Sequence, residues 1–197
     1  MAHLSLFCPA DGMELQEARF WNGIANLRLY SREPAGLRRG TWVTNNDFMQ
    51  QAIELAIRNV EDGGGPFGAV IVKSGTVVAT GVNRVTTQND PTAHAEIVAI
   101  REACRQLDDF QLTGCEIYTS CEPCPMCLGA IYWARPDRVY YAATHRDAAN
   151  AGFDDSLIYE EISKDPSERR IEMIHVPHDR ATDAFKRWQR LEGRKAY

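Results

Sequence analysis

No stretch of this chain approaches the roughly 20 consecutive apolar residues that a membrane-spanning helix needs. The N-terminus also lacks the basic segment and apolar run that mark a secretory leader. The expectation is a soluble, cytoplasmic protein. Excess basic charge is absent too: Lys and Arg number 22 against 27 Asp and Glu, giving a net charge of -5 and a pI near 5.6. Broad affinity for nucleic-acid phosphates depends on clustered cations. This balance argues against a nucleic-acid partner and favours a small-molecule substrate. The cysteines Cys8, Cys104, Cys115, Cys121, Cys124 and Cys127 lack the even spread of a disulfide framework, three of them crowding into one stretch. A reducing compartment follows. With 197 residues, 44% of them hydrophobic, the chain can build one sizeable core and hardly two.

Residues 1–45 keep no sustained apolar period and are broken by Pro9, Gly12, Gly23, Pro34, Gly36 and Gly40. They are expected to be an N-terminal extension, poorly ordered or absent from the natural polypeptide, ahead of one domain over residues 46–197. From Asn46 the pattern sharpens: Phe48, Ala52, Leu55, Ala56 and Asn59 recur at helical spacing up to Gly63-Gly64-Gly65. Residues 66–73 and 76–84 read as β-branched strands joined around Ser74-Gly75. A helix introduced by Pro91, a strand over 115–120, a helix over 123–134 and a strand over 138–143 follow. The remainder predicts a helix over 155–163, a strand over 171–176 and a helix over 179–191. Strands alternating with helices imply a three-layer α/β/α sandwich.

Within that frame, His94-Ala95-Glu96 and Pro123-Cys124-Pro125-Met126-Cys127 together offer three zinc ligands and one spare carboxylate. Four protein ligands close a zinc site, whereas three leave room for a water whose pKa the metal brings to roughly 7. Glu96 is then the natural general acid/base. The expected ligands are His94, Cys124 and Cys127, one zinc ion per subunit. Pro123 would open the helix, and Cys124 and Cys127, three apart, would share one of its faces. Two positions along a regular helix are turned by ~200°, so His94 must sit in an irregular first turn if it and Glu96 are to meet at one ion. An iron-sulfur reading of Cys121, Cys124 and Cys127 would need a fourth cysteine followed by proline, which is missing, and would leave His94 and Glu96 without a purpose. Cys121 reads as a packed thiol, and His3, His145, His175 and His178 as surface or structural residues.

The His-x-Glu and Pro-Cys-x-x-Cys pattern is that of the zinc nucleobase deaminases. From about Asn46 to Tyr197 the sequence resembles the bacterial guanine deaminases of the cytidine deaminase-like superfamily. The resemblance is carried by Gly64-Gly65-Pro66-Phe67-Gly68-Ala69-Val70-Ile71-Val72, Asn89-Asp90-Pro91-Thr92-Ala93-His94-Ala95-Glu96, Ser120-Cys121-Glu122-Pro123-Cys124-Pro125-Met126-Cys127 and Ala151-Gly152-Phe153-Asp154-Asp155-Ser156. It implies a central five-stranded mixed sheet, homodimers, and hydrolytic deamination of guanine to xanthine and ammonia in purine catabolism or salvage. It also implies roles for Asn83, Asp155 and the terminal Tyr197. Physically, Asn83 can offer a donor and an acceptor to a base edge, while Phe67, Trp133 and Tyr197 can supply aromatic walls. Asp155 can bind the substrate or move a proton to the departing ammonia, although Asp154-Asp155 before an apolar stretch also reads as a helix cap. A guanosine deaminase would differ by accepting ribose, and a transfer-RNA adenosine deaminase by a salt-dependent shift on RNA. A zinc-stabilised binding module would leave Glu96 dispensable.

Overall fold

The structure is a computed structural model that describes residues 44–196. The expectation for residues 1–45 falls almost entirely outside the described residues. The first helix, α1 (Asn45–Glu61), starts at a capping box in which Asp47 Oδ2 accepts from Thr44 N at 2.7 Å, and it turns Phe48, Ala52, Ala56 and Asn59 inward. Strands β1 (Gly68–Lys73) and β2 (Thr76–Val82) form an antiparallel hairpin. Its two turn residues, Ser74 and Gly75, have φ of 50° and 74°. That pair of positive φ values is the backbone a twisted two-residue turn demands. A short helix, α2 (Val85–Gln88), leads to α3 (Ala95–Leu107); β3 (Cys115–Cys121), α4 (Pro125–Ala134) and β4 (Arg138–Ala143) follow. Beyond them come α5 (His145–Asn150), α6 (Ser156–Ser163), a single 3-10 turn and α7 (Asp183–Arg190).

The sheet runs in the order β2-β1-β3-β4, with β1 antiparallel to both neighbours and β3 parallel to β4. Both of its faces are covered, which is why β1 reads as a continuous apolar run. Alternate side chains serve opposite layers. Ala69, Ile71 and Ile117 pack with Ala95, Ala99, Ile100 and Ala103 of α3 and Ile131 and Ala134 of α4. Val70, Val72 and Tyr118 pack with Phe48 and Ala52 of α1. The architecture is therefore the expected α/β/α sandwich on a mixed sheet. Helix α3 lies so close to β2 that a Cβ on Gly81 would overlap the Ala95 carbonyl oxygen. That contact seats the first turn of α3, where the site is built. No helix among the described residues is long and apolar enough to cross a membrane.

Three expectations differ from what the described residues show. Among the described residues the sheet has four strands, not five: residues 171–176 form no ladder, and Ile171, Met173, Ile174 and Val176 are exposed. A run rich in β-branched residues supplies a strand's composition but not its hydrogen-bonding partner. The helix expected from Pro123 begins at Pro125, because Cys124 keeps an extended φ of -65° and ψ of 168° as its cap. The last helix starts at Asp183 rather than near 179, after Thr182. Helices α2 and α5 are too short to have left a periodic signature.

Candidate active site

Two helix N-termini converge on one spot. His94 is the N-cap of α3, with φ of -69° and ψ of 157°, and Glu96 stands two places later in its first turn. Because His94 keeps extended backbone, its ring is released from the helical ~100° step and can share a site with Glu96, as the sequence required. Cys124 caps α4 in the same way, and Cys127 is the third residue of that helix. An N-cap side chain naturally reaches toward the third helical residue. The cap position, not a shared helical face, is what brings these two sulfurs together.

His94 Nδ1 lies 3.5 Å from Cys124 Sγ and 3.5 Å from Cys127 Sγ, and the three donor atoms are within 4.8 Å of one another. A tetrahedral ion with Zn–N of about 2.0–2.1 Å and Zn–S of about 2.3 Å sets an N-to-S edge of about 3.6 Å. The donor set fits zinc in kind and in spacing, and three donors are one short of the four that close a zinc site. Among the described residues no other trio of His, Cys, Asp or Glu converges in this way. The Cys127 thiol hydrogen-bonds to Cys124 and holds it well below the usual thiol range, with His94 adding to the effect. As the donor in that bond, Cys127 is itself held up. His94 is raised, chiefly by its hydrogen bond with Cys124. Cys121 stands apart: its buried thiol donates to the Thr144 carbonyl at 3.6 Å, and burial pushes it up to about 11.

Glu96 is 6% exposed, and burial pushes its carboxyl above the ordinary carboxylate range. It lines, with His94 and Cys124, a cavity of about 760 Å³ that also takes in Phe67, Asn83, Phe153 and Asp155. Phe67 and Phe153 meet edge to face, with centroids 5.0 Å apart and planes at 87°, as an apolar wall. Asn83 Oδ1 accepts from Val85 N at 3.2 Å, and among the described residues its Nδ2 meets no protein acceptor. Asp155 is the N-cap of α6, yet its side chain makes no cap hydrogen bond; Asp154 Oδ1 instead accepts from Ser156 N at 3.0 Å. The Asp155 carboxyl is thus left to the cavity, raised by burial and next by the nearby Cys124 charge.

Residues 43–143 match the model of the cytidine and deoxycytidylate deaminase zinc-binding region. The chain belongs to this family. Zinc is the ion of this deaminase domain, and His94, Cys124 and Cys127 are the residues that fit it. A guanine deaminase of Bacillus subtilis is 55% identical over 156 residues, which are 79% of this chain and 100% of that protein. The X-ray structure of the guanine deaminase from Bacillus subtilis matches with a TM-score of 0.77, covering 79% of this chain and 99% of that one. A structure of a guanine deaminase from Nitrosomonas europaea matches at 36% identity and a TM-score of 0.56, over 57% of this chain and 66% of that one. A tRNA-specific adenosine deaminase of Aquifex aeolicus is 45% identical over 96 residues, 49% of this chain and 64% of that protein.

Of the residues expected at this deaminase's site, Phe67, Asn83, His94, Glu96, Cys124 and Asp155 line one cavity, and Cys127 joins it through the ligand trio. Trp133 does not join them. It is 63% exposed and lines a second cavity with Phe110 and Met126. Tyr197 lies outside the described residues. Two contributors went unread. Phe153 lines the cavity with no local signal to set it apart from a packing residue, and Glu122 Oε2 accepts from His145 N at 3.0 Å and lies 3.0 Å from His145 Nδ1 at the cavity wall. Nothing local pairs residues 23 positions apart.

Proposed function

We propose that the protein hydrolyses guanine to xanthine and ammonia. The observation that carries this reading is a buried carboxyl, Glu96, beside a three-donor zinc set at one end of a cavity whose Asn83 and Asp155 side chains are left for a ligand. The relatives that bear the name guanine deaminase supply the substrate. When bound by His94, Cys124 and Cys127, zinc supplies a water acidic enough to act as nucleophile near neutral pH.

The chain's own groups do the rest. Glu96, raised by burial, takes up the proton shed during attack at guanine C2 and returns it to the adjacent ring nitrogen. Asp155 assists the second proton transfer to the departing amine. Asn83, its Oδ1 engaged by Val85 N-H, turns its Nδ2 donors toward the base's oxygen or nitrogen acceptors. Phe67 and Phe153 border the flat ring and displace water from it.

The catalytic domain is residues 46–197, with 1–45 an extension outside the reaction. The working assembly is a cytoplasmic homodimer serving purine catabolism or salvage. Two features support that assembly and a fifth strand within it: among the described residues β4 has a neighbour on one side only, and Ile171, Ile174 and Val176 are exposed β-branched residues. Ammonia release from guanine, guanosine, adenine and cytosine, measured in parallel with chromatographic identification of the product, tests the substrate. Turnover of guanine alone is expected. Turnover of guanosine instead would place a ribose in the cavity, and silence on all four would remove the reading.

A further inference from the structure

Asn59 is the one polar residue among the inward-facing positions of α1, which are otherwise Phe48, Ala52 and Ala56. A buried amide costs free energy unless its donors are used. Asn59 Nδ2 is used twice: it donates to the Gly65 carbonyl at 2.7 Å and to the Asn83 carbonyl at 2.8 Å. The two acceptors belong to adjacent segments that both line the cavity, one in the Gly63-Gly64-Gly65 stretch and one just past the end of β2. Both being carbonyls, they can only face the NH2 side of the Asn59 amide, which fixes its orientation.

The glycines of the rim make room for this clamp. A Cβ on Gly64 would overlap the Asn59 amide, and a Cβ on Gly65 would stand 2.9 Å from Asn83 Cγ. Asn83 is consequently held at three points: its N donates to Phe67 O at 3.1 Å, its carbonyl accepts from Asn59, and its Oδ1 accepts from Val85 N. Among the described residues, Nδ2 is the part left without a protein acceptor. We propose that Asn59 is a positioning residue for substrate recognition, fixing the direction from which the Asn83 amide meets an acceptor on the purine and holding the rim at the same height. This rests on the reading of the cavity as a purine site. Asn59 touches no reacting atom; it acts through Asn83 and Gly65.

The test is a double-mutant cycle on the zinc-loaded full chain, with Asn59→Ala, Asn83→Ala and the double variant assayed for guanine kcat, KM, zinc content and melting temperature. Loss of one well-aimed hydrogen bond corresponds to roughly a three- to tenfold change in affinity. Asn59→Ala is expected to raise KM by that factor, to change kcat less than about twofold and to keep its zinc. In the Asn83→Ala background the same change should move KM less than about twofold, because the group being aimed is gone. A purely structural clamp would lower the melting temperature in both backgrounds without moving KM, and that result overturns the inference. So does a KM increase of equal size in both backgrounds. If the alanine variant does not fold, Asn59→Ser, whose single hydroxyl proton on a shorter side chain cannot serve both carbonyls, carries the same expectations. Silence of the unmodified protein on guanine would instead remove the purine reading itself.

Discussion

Replacing Glu96 by glutamine removes the proton-carrying group and little else. The amide keeps the side chain's volume and a carbonyl oxygen, and His94, Cys124 and Cys127 are untouched. Zinc content should therefore stay at one ion per chain. Proton transfer by a positioned side chain is worth roughly 10²- to 10⁴-fold, about 3–5 kcal/mol of barrier. Since Glu96 both takes up and returns a proton, kcat is expected to fall by roughly 10²- to 10⁴-fold with a much smaller change in KM. The same variant carries a stability signature. Burial raises the folded-state pKa of Glu96 above its unfolded value, so the folded state binds this proton more tightly. Relative to a neutral amide, the wild-type residue carries no penalty below the ordinary carboxylate range and a growing one as pH rises from there through the folded pKa. Stripped of metal, the glutamine variant should melt above wild type at about pH 8, the gap closing below about pH 4. Full turnover by the variant would remove Glu96 from the mechanism. A metal-free variant that melts lower than wild type at high pH would show that the buried carboxylate is not a cost.

Cys127→Ala should lose its zinc, as elemental analysis of the purified variant would show, because two donors cannot replace three. Asp155→Asn is expected to lower kcat by roughly tenfold or more with zinc retained, whereas Asp154→Asn, which still accepts from Ser156 N, should turn over normally in the same assay. Gly81→Ala places a methyl group against the Ala95 carbonyl and should cost about 1–3 kcal/mol, read as a melting temperature lower by roughly 3–10 °C. Tyr118→Phe removes a hydroxyl that lies 2.9 Å from Asn45 Oδ1 and 3.0 Å from Glu116 Oε2. That change should cost about 1–2 kcal/mol in thermal melts while leaving guanine KM alone.

The layered fold was legible because its elements announce themselves locally. Phe48, Ala52 and Ala56 repeat at the helical period on α1, and Ser74-Gly75 marks the hairpin between two apolar strands. The zinc donors were legible because one motif holds both cysteines and another holds His94 with Glu96. What stayed hidden depends on rotation or on distance along the chain. Trp133 is six residues beyond Cys127 on α4, a turn of ~240° beyond a full circle, so its closeness in sequence to a ligand put it on a different face and in a different cavity. Cys124 and Cys127 meet because one of them caps the helix, which two neighbouring prolines left ambiguous. Asn59 follows the inner-face period of α1, but its use is set by an acceptor 24 residues away. Residues 171–176 carry the pattern of a strand, and pattern alone does not pair it.

Guanine turnover as a function of zinc loading tests the central claim most directly. Metal-free protein titrated with zinc, with xanthine measured by chromatography and ammonia by a coupled assay, should gain activity in proportion to bound metal and saturate at one ion per chain, with xanthine and ammonia formed in equal amounts. Stoichiometric zinc binding without xanthine at any loading, or xanthine formed equally well by the metal-free protein, would contradict the account.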